Sequence, residues 1–266
     1  MPAKTDYPEL DNARRHWRYQ PPADLLSGRT ILITGAGDGI GRTAARTFAR
    51  YGANIVLLGR TQDKLEAVFD DIRTATDTDP AIAPIDLEQT PYEGHVELAG
   101  MIESHYGRLD GLLHNAGLLG PRTPIEHYDT ALWPRLMQVN VNAAFYLTRA
   151  LLPALQTADD ASVVFTSSSV GRKGRAYWGG YAVSKFAIEG LSQVLADELE
   201  SAGRVRVNTL NPGATRTQMR AMAYPGEDPA TVAAPEQHMD LYLYLFGPAA
   251  RGQTGQAFDA RDWPGA

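Results

Sequence analysis

The stretch Thr34-Gly35-Ala36-Gly37-Asp38-Gly39-Ile40-Gly41 decides how this chain folds. It follows the apolar run Ile31-Leu32-Ile33, and it opens a helix-patterned segment with Ile40, Ala44 and Phe48 on one face. A strand, a tight glycine turn and a helix start form a site for a dinucleotide pyrophosphate. Glycines let the backbone approach the phosphates, and free N–H groups at the positive end of the helix dipole meet the negative charge. Because glycine turns also serve packing alone, the strand–turn–helix context is what favours the phosphate role.

The composition is that of an ordinary globular protein and excludes several function classes. The chain has 266 residues, 44% of them hydrophobic and 21% charged, with a formal net charge of −6. This mild acidity argues against a nucleic-acid binder, which would present a basic face. The chain has no cysteine, which excludes disulfides, thiol nucleophiles and cysteine metal sites. No apolar run approaches the ~20 residues that cross a bilayer. We therefore expect a cytoplasmic protein that binds neither nucleic acid nor membranes.

Strand and helix patterns alternate along the chain after an N-terminal arm over residues 1–26, which we expect to be polar. The predicted strands lie at 30–34, 54–58, 81–85, 109–114, 162–166, 205–210 and 256–259. The alternation predicts an α/β fold with a doubly wound parallel sheet of about seven strands and helices on both faces. Residues 27–266 would form this single Rossmann-like domain, with a substrate lid at about 214–234.

Two proline residues mark predicted helix ends. Thr90-Pro91-Tyr92-Glu93 has the pattern of a capping box with proline at the first helical position. A long helical region over about 130–152 is predicted to end at Pro153.

Tyr181 and Lys185 lie four residues apart and share one face of a predicted helix. Since a nearby ammonium favours the ionised phenol, we expect Lys185 to lower the pKa of Tyr181 toward neutrality, as a general acid/base requires. The spacing alone favours a plain amphipathic helix with a solvated lysine. Two other residues shift the balance toward chemistry: Ser168, thirteen residues before Tyr181 at a strand end, and Asn140, inside an otherwise helical run.

Taken together, these segments resemble the short-chain dehydrogenase/reductase family over about residues 28–259. The resemblance is carried in order by Thr34–Gly41, His114-Asn115-Ala116-Gly117, Asn140, Ser168, Tyr181 with Lys185, and Asn211-Pro212-Gly213. Within the family, residues 168–187 and 211–217 are most similar to bacterial YciK-type oxidoreductases. The resemblance implies hydride transfer between a nicotinamide cofactor and a small carbonyl or secondary-alcohol substrate.

The resemblance also implies a role for each site residue. Tyr181 would exchange a proton with the substrate oxygen, Ser168 would hydrogen-bond that oxygen, and Lys185 would hold the nicotinamide ribose. Asn140 would distort its helix and hold a water that relays protons toward Lys185. The expected cofactor-binding residues are Gly35, Gly37, Asp38, Gly39, Ile40, Gly41, Arg60, Asp86, Leu87, Asn115, Ala116, Gly117, Tyr181, Lys185, Pro212, Gly213, Thr215 and Thr217.

Two of these assignments leave alternatives open. Ser167 and Ser169 compete with Ser168 for the serine role, and the thirteen-residue interval favours Ser168. Asp86 is equally compatible with an ordinary surface loop.

The end of the second predicted strand bears on the choice between NADP and NAD. Leu58-Gly59-Arg60-Thr61 lacks the carboxylate with which NAD enzymes bind the ribose hydroxyls. Arg60 could instead bind a 2′-phosphate through a bidentate pair. Asp38 counts against this, because many NADP-dependent members have a basic residue there. On balance we expect NADP(H) to be favoured over NAD(H).

Several other polar residues receive a plain interpretation. None of the six histidines forms a metal-binding pattern, so we expect no metal, and His114 is interpreted as a loop spacer. The basic run Arg172, Lys173 and Arg175 is interpreted as solvated, with attraction of an acidic substrate as the alternative.

The predicted lid contains Met219, Met222 and Tyr224 alongside Arg216 and Arg220. This mixture of side chains indicates an apolar pocket with an available cation.

Two other functions remain open at this stage. The chain could be a regulator that binds NADPH without turnover, or an isomerase or epimerase with a retained cofactor. A serine hydrolase is disfavoured because no Gly-x-Ser-x-Gly segment surrounds the serines. The family resemblance further implies a homodimer or homotetramer, formed through the helix of Tyr181 and the helix before it.

Overall fold

A computed structural model describes residues 7–266, which build a parallel β-sheet with helices on both faces. The strands are β1 Thr30–Thr34, β2 Asn54–Gly59, β3 Ala81–Pro84, β4 Gly111–His114, β5 Ala161–Thr166, β6 Val205–Asn211 and β7 Ala257–Asp259. The helices are α1 Pro8–Arg14, α2 Gly39–Arg50, α3 Gln62–Ala75, α4 Tyr92–Tyr106, α5 Leu132–Met137, α6 Ala143–Gln156, α7 Gly179–Glu200, α8 Gln218–Ala223 and α9 Met239–Phe246.

The strand order places the site. It is β3-β2-β1-β4-β5-β6-β7, and each neighbouring pair is parallel. The chain builds outward from β1 in one direction and from β4 in the other, so the order reverses between these two strands. Ligands of such sheets bind at this reversal, beyond the carboxyl ends of the strands. The predicted doubly wound sheet is confirmed.

Alternating residues of the central strands pack on opposite faces of the sheet. Ile31 and Ile33 join a cluster with Phe48 and Phe246, whereas Leu32 packs into a second cluster under α4, α6 and α7. Burial on both faces explains why β1 and β2 are continuous apolar runs.

The two predictions about proline residues are wrong. Pro91 is the residue before α4, and no side chain caps that helix. The Thr90 N–H, which Glu93 would accept in a capping box, donates instead to the Asp86 carbonyl of the preceding turn. Pro153 lies inside α6, which continues to Gln156. Leu151 and Leu155 on either side of Pro153 are fully buried, so core packing holds the helix together across the missing N–H.

The N-terminal arm is less polar than predicted, although its residues 1–6 lie outside the described part. Leu10 of α1 and Trp17 are buried in the same cluster as β1. The indole N–H of Trp17 donates to the Glu236 carbonyl at 2.9 Å. The described part of the arm therefore contributes to the core. Over residues 7–266, no helix combines the length and the apolar character needed to cross a membrane.

Candidate active site

A cavity of about 610 Å³ opens where β1, β4, β5 and β6 end. Its walls include most of the residues that the sequence predicted to bind cofactor or substrate. These are Gly35, Gly37, Asp38, Gly39, Ile40, Arg60, Asp86, Leu87, Asn115, Ala116, Gly117, Ser168, Tyr181, Lys185, Pro212, Gly213, Thr215 and Thr217. Two predicted residues, Gly41 and Asn140, lie outside the cavity lining.

The glycine turn between β1 and α2 depends on residues without side chains. Gly35 and Gly39 have φ of +67° and +51°, a backbone region that favours glycine. A Cβ on Gly41 would lie 2.2 Å from the Gly35 carbonyl oxygen, so Gly41 serves close packing within the turn. The Asp38 carboxylate accepts the Gly39 N–H at 2.7 Å and caps α2. The turn thus brings the positive end of a 12-residue helix to the cavity wall.

A lysine that the sequence interpretation missed neutralises Asp38. The Lys64 ammonium, on α3, lies 2.6 Å from the Asp38 carboxylate and also lines the cavity. Its hydrogen bond lowers the pKa of Asp38 below its ordinary value. Arg60 lines the same end of the cavity and forms no ion pair with any residue in the described range. Lys64 therefore offsets the Asp38 charge in the part of the cavity that Arg60 also lines.

The end of β4 is tied to the glycine turn. The Thr34 hydroxyl accepts the N–H groups of Asn115 at 2.9 Å and Ala116 at 3.0 Å. The Asn115 side chain donates to the Thr34 carbonyl at 3.2 Å. These bonds fix the two loops side by side, so Asn115 and Ala116 border the cavity from a rigid position.

His114 is not the loop spacer that the sequence suggested. It is the last residue of β4, is buried, and stacks on Phe165 with ring centroids 4.6 Å apart. Its Nε2 lies 2.8 Å from the Thr148 hydroxyl. Burial lowers the pKa of His114 to about 3, so the imidazole is neutral at physiological pH. No group of three or more histidine and acidic residues within residues 7–266 could hold a metal ion.

Asn140 lies in a π-helical turn, Gln138–Asn142, between α5 and α6. Its side-chain oxygen accepts the Leu118 N–H at 2.7 Å, and its amide donates to the Leu118 carbonyl at 2.9 Å. The same amide donates to the Ser184 hydroxyl on α7 at 3.0 Å. Asn140 therefore joins the loop after β4 to the helix that carries Tyr181 and Lys185. That Asn140 holds a water that relays protons toward Lys185 stays a prediction.

Tyr181 and Lys185 lie on the first turns of α7 and both line the cavity. The Lys185 ammonium is 5.6 Å from the centre of the Tyr181 ring and donates to the Thr166 carbonyl at 2.7 Å. Ser168 follows β5 and lines the same wall, whereas Ser169 is exposed and lies outside the lining. The fold thus brings Ser168, Tyr181 and Lys185 together around one end of the cavity.

Burial, and not the lysine charge, dominates the ionisation of the Tyr181 phenol. Burial raises the pKa of Tyr181 to about 12, with the Ser168 hydroxyl acting in the opposite direction. Burial also lowers the pKa of Lys185 to about 8, opposed by the Glu189 carboxylate. The prediction that Lys185 brings the Tyr181 pKa toward neutrality is therefore wrong for this structure, because desolvation of the phenolate is the larger effect. The phenol carries its proton at neutral pH.

Comparison with known proteins agrees with this arrangement. The family model described as short chain dehydrogenase matches residues 29–228. The chain belongs to the short-chain dehydrogenase/reductase family. It is 54% identical over 243 residues to the uncharacterized oxidoreductase YciK of Escherichia coli (strain K12), covering 91% of this chain and 96% of the relative. It is also 29% identical over 240 residues to the trans-4-hydroxycyclohexanecarboxylate dehydrogenase of Sinomonas cyclohexanicum, covering 88% of this chain and 91% of the relative.

Two solved structures of similar short-chain dehydrogenases contain a cofactor. One, from Shigella flexneri 2a strain 301, is complexed with NADP; it is 53% identical with a TM-score of 0.88, covering 90% of this chain and 100% of that one. The other, from E. coli CFT073, is complexed with NADPH; it is 54% identical with a TM-score of 0.86, covering 91% and 100%. The chain is therefore an oxidoreductase of this family and of the YciK type.

In this family member a buried carboxylate lies directly behind the site. Glu189, one helical turn after Lys185, accepts the hydroxyls of Ser167 at 2.5 Å and Thr209 at 2.8 Å. It also accepts the Arg172 Nε–H at 3.0 Å. Ser167 also lines the cavity, but its hydroxyl is bound to Glu189, which favours Ser168 for the serine role. The spacing of four residues between Lys185 and Glu189 could have revealed this carboxylate from the sequence.

The basic run after Ser168 is only partly solvated. Arg172 is exposed, but besides its bond to Glu189 it donates to the Phe258 carbonyl at 3.0 Å, so it is not merely solvated. Lys173 and Arg175 are exposed, as expected.

The segment predicted as a lid contributes apolar walls to the cavity of this dehydrogenase. Met219, Met222 and Tyr224 line it, and a β-bridge between Thr215 and Ala233 closes the segment at its base. Within the described residues, the predicted lid offers no unpaired cation to the cavity. Arg216 lies outside it, and Arg220 is bound through two hydrogen bonds of 2.6 Å to the Glu227 carboxylate.

Proposed function

We propose that the protein is an NADP-dependent oxidoreductase that transfers hydride between the cofactor and a carbonyl or secondary-alcohol substrate, with Tyr181 as general acid/base. The observation that carries this proposal is a protonated, buried phenol in the wall of the same cavity as the glycine turn and the helix α2 terminus. The NADP and NADPH complexes of two structures at 53% and 54% identity support the cofactor assignment.

The residues present fit a dinucleotide along the whole cavity. The glycine turn and the start of α2 offer backbone N–H groups to a pyrophosphate, since Asp38 occupies only the Gly39 N–H. Asp86 and Leu87 line the cavity and would contact the adenine, and the Thr217 side chain lies against Gly39 of the turn. When bound, the nicotinamide supplies or accepts the hydride.

The side chains around Tyr181 would handle the proton. In the reductive direction, Tyr181 donates its phenolic proton to the substrate carbonyl oxygen while the Ser168 hydroxyl hydrogen-bonds the same oxygen. The Lys185 ammonium, 5.6 Å from the ring centre, stabilises the phenolate that remains. In the oxidative direction, the phenolate takes the alcohol proton back. With a Tyr181 pKa of about 12, the phenol that donates the proton in the reductive direction is the populated form at neutral pH.

We also propose that NADP(H) is preferred over NAD(H). Arg60 is unpaired within the described part of the chain, and Lys64 reduces the repulsion that Asp38 would exert on a 2′-phosphate. A guanidinium at this position suits a bidentate bond to phosphate.

We propose further that the protein forms a homodimer or homotetramer through α7 and α6. Phe145 on α6 and Val183, Phe186 and Val194 on α7 are large apolar side chains exposed by 42% or more. Apolar side chains clustered on the surface mark association sites. The cytoplasmic location and the lid motion of residues 214–234 stay predictions.

Replacement of Tyr181 by phenylalanine tests the proposed function. With NADPH and a panel of carbonyl compounds, Tyr181→Phe is expected to lose turnover by about 10²-fold or more, because the phenolic proton is gone. Its NADPH affinity, measured by calorimetry, should stay near that of the wild type. Tyr177→Phe, which removes an exposed phenol four residues earlier, is the matched control and should stay active.

Other outcomes would identify a different function. Undiminished turnover by Tyr181→Phe contradicts the assigned role of the phenol. NADPH binding without turnover of any carbonyl compound would support a regulator, and product formation without net NADPH consumption would support an isomerase.

A further inference from the structure

The end of the cavity next to Tyr181 is walled by aromatic and apolar side chains. The Trp178 ring centre lies 5.8 Å from that of Tyr181 and 6.1 Å from that of Tyr224. Leu119 and Met219 pack in the same small cluster and also line the cavity. Flat rings and thioethers offer their best contact to another flat or ring-shaped apolar group.

The backbone holds Trp178 in this wall. The preceding residue, Tyr177, has φ of +71°, which is unusual for a residue other than glycine. The Arg122 guanidinium, which is not part of the cavity lining, lies 4.8 Å from the ring centres of both Trp178 and Tyr224 and donates to the Ala223 carbonyl. The wall is therefore held by a cation–π contact from a residue outside the cavity lining.

Two cations line this end, and both are already engaged: the Lys185 ammonium donates to the Thr166 carbonyl, and Arg220 is paired with a carboxylate. Arg220 forms two hydrogen bonds of 2.6 Å with Glu227 and lies 3.8 Å above the Tyr224 ring. A substrate carboxylate placed against Trp178 and Tyr224 would lose hydration without gaining an ion pair with Arg220, unless it displaced Glu227. Such burial of an unpaired charge is strongly unfavourable.

From these contacts we infer that the substrate is an uncharged ketone with a ring-shaped apolar body, or the matching alcohol, and that the Arg220–Glu227 pair selects against substrates that carry a carboxylate. The inference rests on the proposed function and adds the substrate class.

A matched pair of ketones tests this selectivity. Methyl 4-oxocyclohexanecarboxylate and the free 4-oxocyclohexanecarboxylate share one ring and differ in charge. With NADPH, the wild-type kcat/KM for the ester is expected to exceed that for the carboxylate by at least about tenfold, because only the carboxylate would be buried unpaired. Equal values, or a preference for the carboxylate, would overturn the inference.

Glu227→Gln shows whether the Arg220–Glu227 pair, and not the shape of the cavity, causes the selectivity. This variant frees the Arg220 guanidinium, so the ratio of the two kcat/KM values should shift about tenfold toward the carboxylate. The neighbouring Asp228→Asn is the control, because Asp228 caps the Ala230 N–H and should leave the ratio unchanged. A ratio that does not move in Glu227→Gln also overturns the inference.

If NADPH binds but neither ketone is reduced, the result counts against the proposed function and leaves the substrate class to be tested separately. The inference is then decided by calorimetric binding of the same two ketones to the NADP-loaded protein. Tighter binding of the ester supports it, and equal or weaker binding overturns it.

Discussion

Replacing Lys185 by methionine is expected to stabilise the protein at neutral pH. Burial lowers the pKa of Lys185 from 10.5 to about 8, which means that the folded state disfavours the charged ammonium. A pKa difference of this size lowers the free energy of unfolding of the wild type by about 3 kcal/mol at neutral pH. Methionine also removes the donor to the Thr166 carbonyl at 2.7 Å, at a cost of about 1 kcal/mol. The variant should therefore be more stable than the wild type by about 2 kcal/mol at about pH 7.

The sign of the pH dependence follows from the lowered pKa. Below about pH 8, Lys185 is protonated in both the folded and the unfolded wild type, so the folded state bears the full cost of burying the ammonium. Between about 8 and 10.5 the folded state releases its proton first, so wild-type stability rises with pH while the variant lacks this rise. The advantage of Lys185→Met should fall below about 1 kcal/mol by about pH 9.5.

Urea denaturation followed by tryptophan fluorescence at several pH values between about 7 and 9.5 measures this difference. Lys173→Met is the control, since Lys173 is exposed and its loss should leave the pH dependence parallel to that of the wild type. If Lys185→Met is less stable than the wild type at neutral pH, and the difference does not change with pH, then Lys185 is not desolvated and the pKa argument fails.

Three further predictions concern the cofactor, the carboxylate behind the site and the assembly. Arg60→Glu should weaken NADPH binding at least about tenfold more than NADH binding in calorimetric titrations; equal losses would show that Arg60 does not discriminate. Glu189→Gln removes the negative charge that raises the pKa of Lys185, so the alkaline limb of the NADPH-binding pH profile should move to lower pH, and an unmoved limb argues against this coupling. Phe186→Glu places a charge on the exposed α7 surface and should reduce the assembly to monomers in light scattering, whereas an unchanged mass would exclude this surface as the interface.

The sheet could be predicted because its signals are local. Strand β1 has the predicted bounds, since a continuous apolar run between a turn and glycines leaves little choice. The ends of α4 and α6 could not be predicted at Pro91 and Pro153, because the Asp86 turn and core packing override the local proline signal.

The candidate site was predictable in its members and less so in its electrostatics. Residues at the carboxyl ends of parallel strands must meet, which is why Ser168 and Tyr181 border one cavity with the glycine turn. Spacing says nothing about desolvation, so the direction of the Tyr181 pKa shift was missed. The Asp38–Lys64 pair, 26 residues apart in sequence, arises only when α2 and α3 pack side by side.

The path of the hydride tests the central claim most directly. NADPH carrying deuterium at either of the two C4 positions of the nicotinamide ring is incubated with the protein and methyl 4-oxocyclohexanecarboxylate, and the alcohol is examined by mass spectrometry. We predict one deuterium on the carbinol carbon from one of the two labelled cofactors and none from the other. Alcohol free of deuterium from both cofactors would contradict hydride transfer at the cavity that Tyr181 lines.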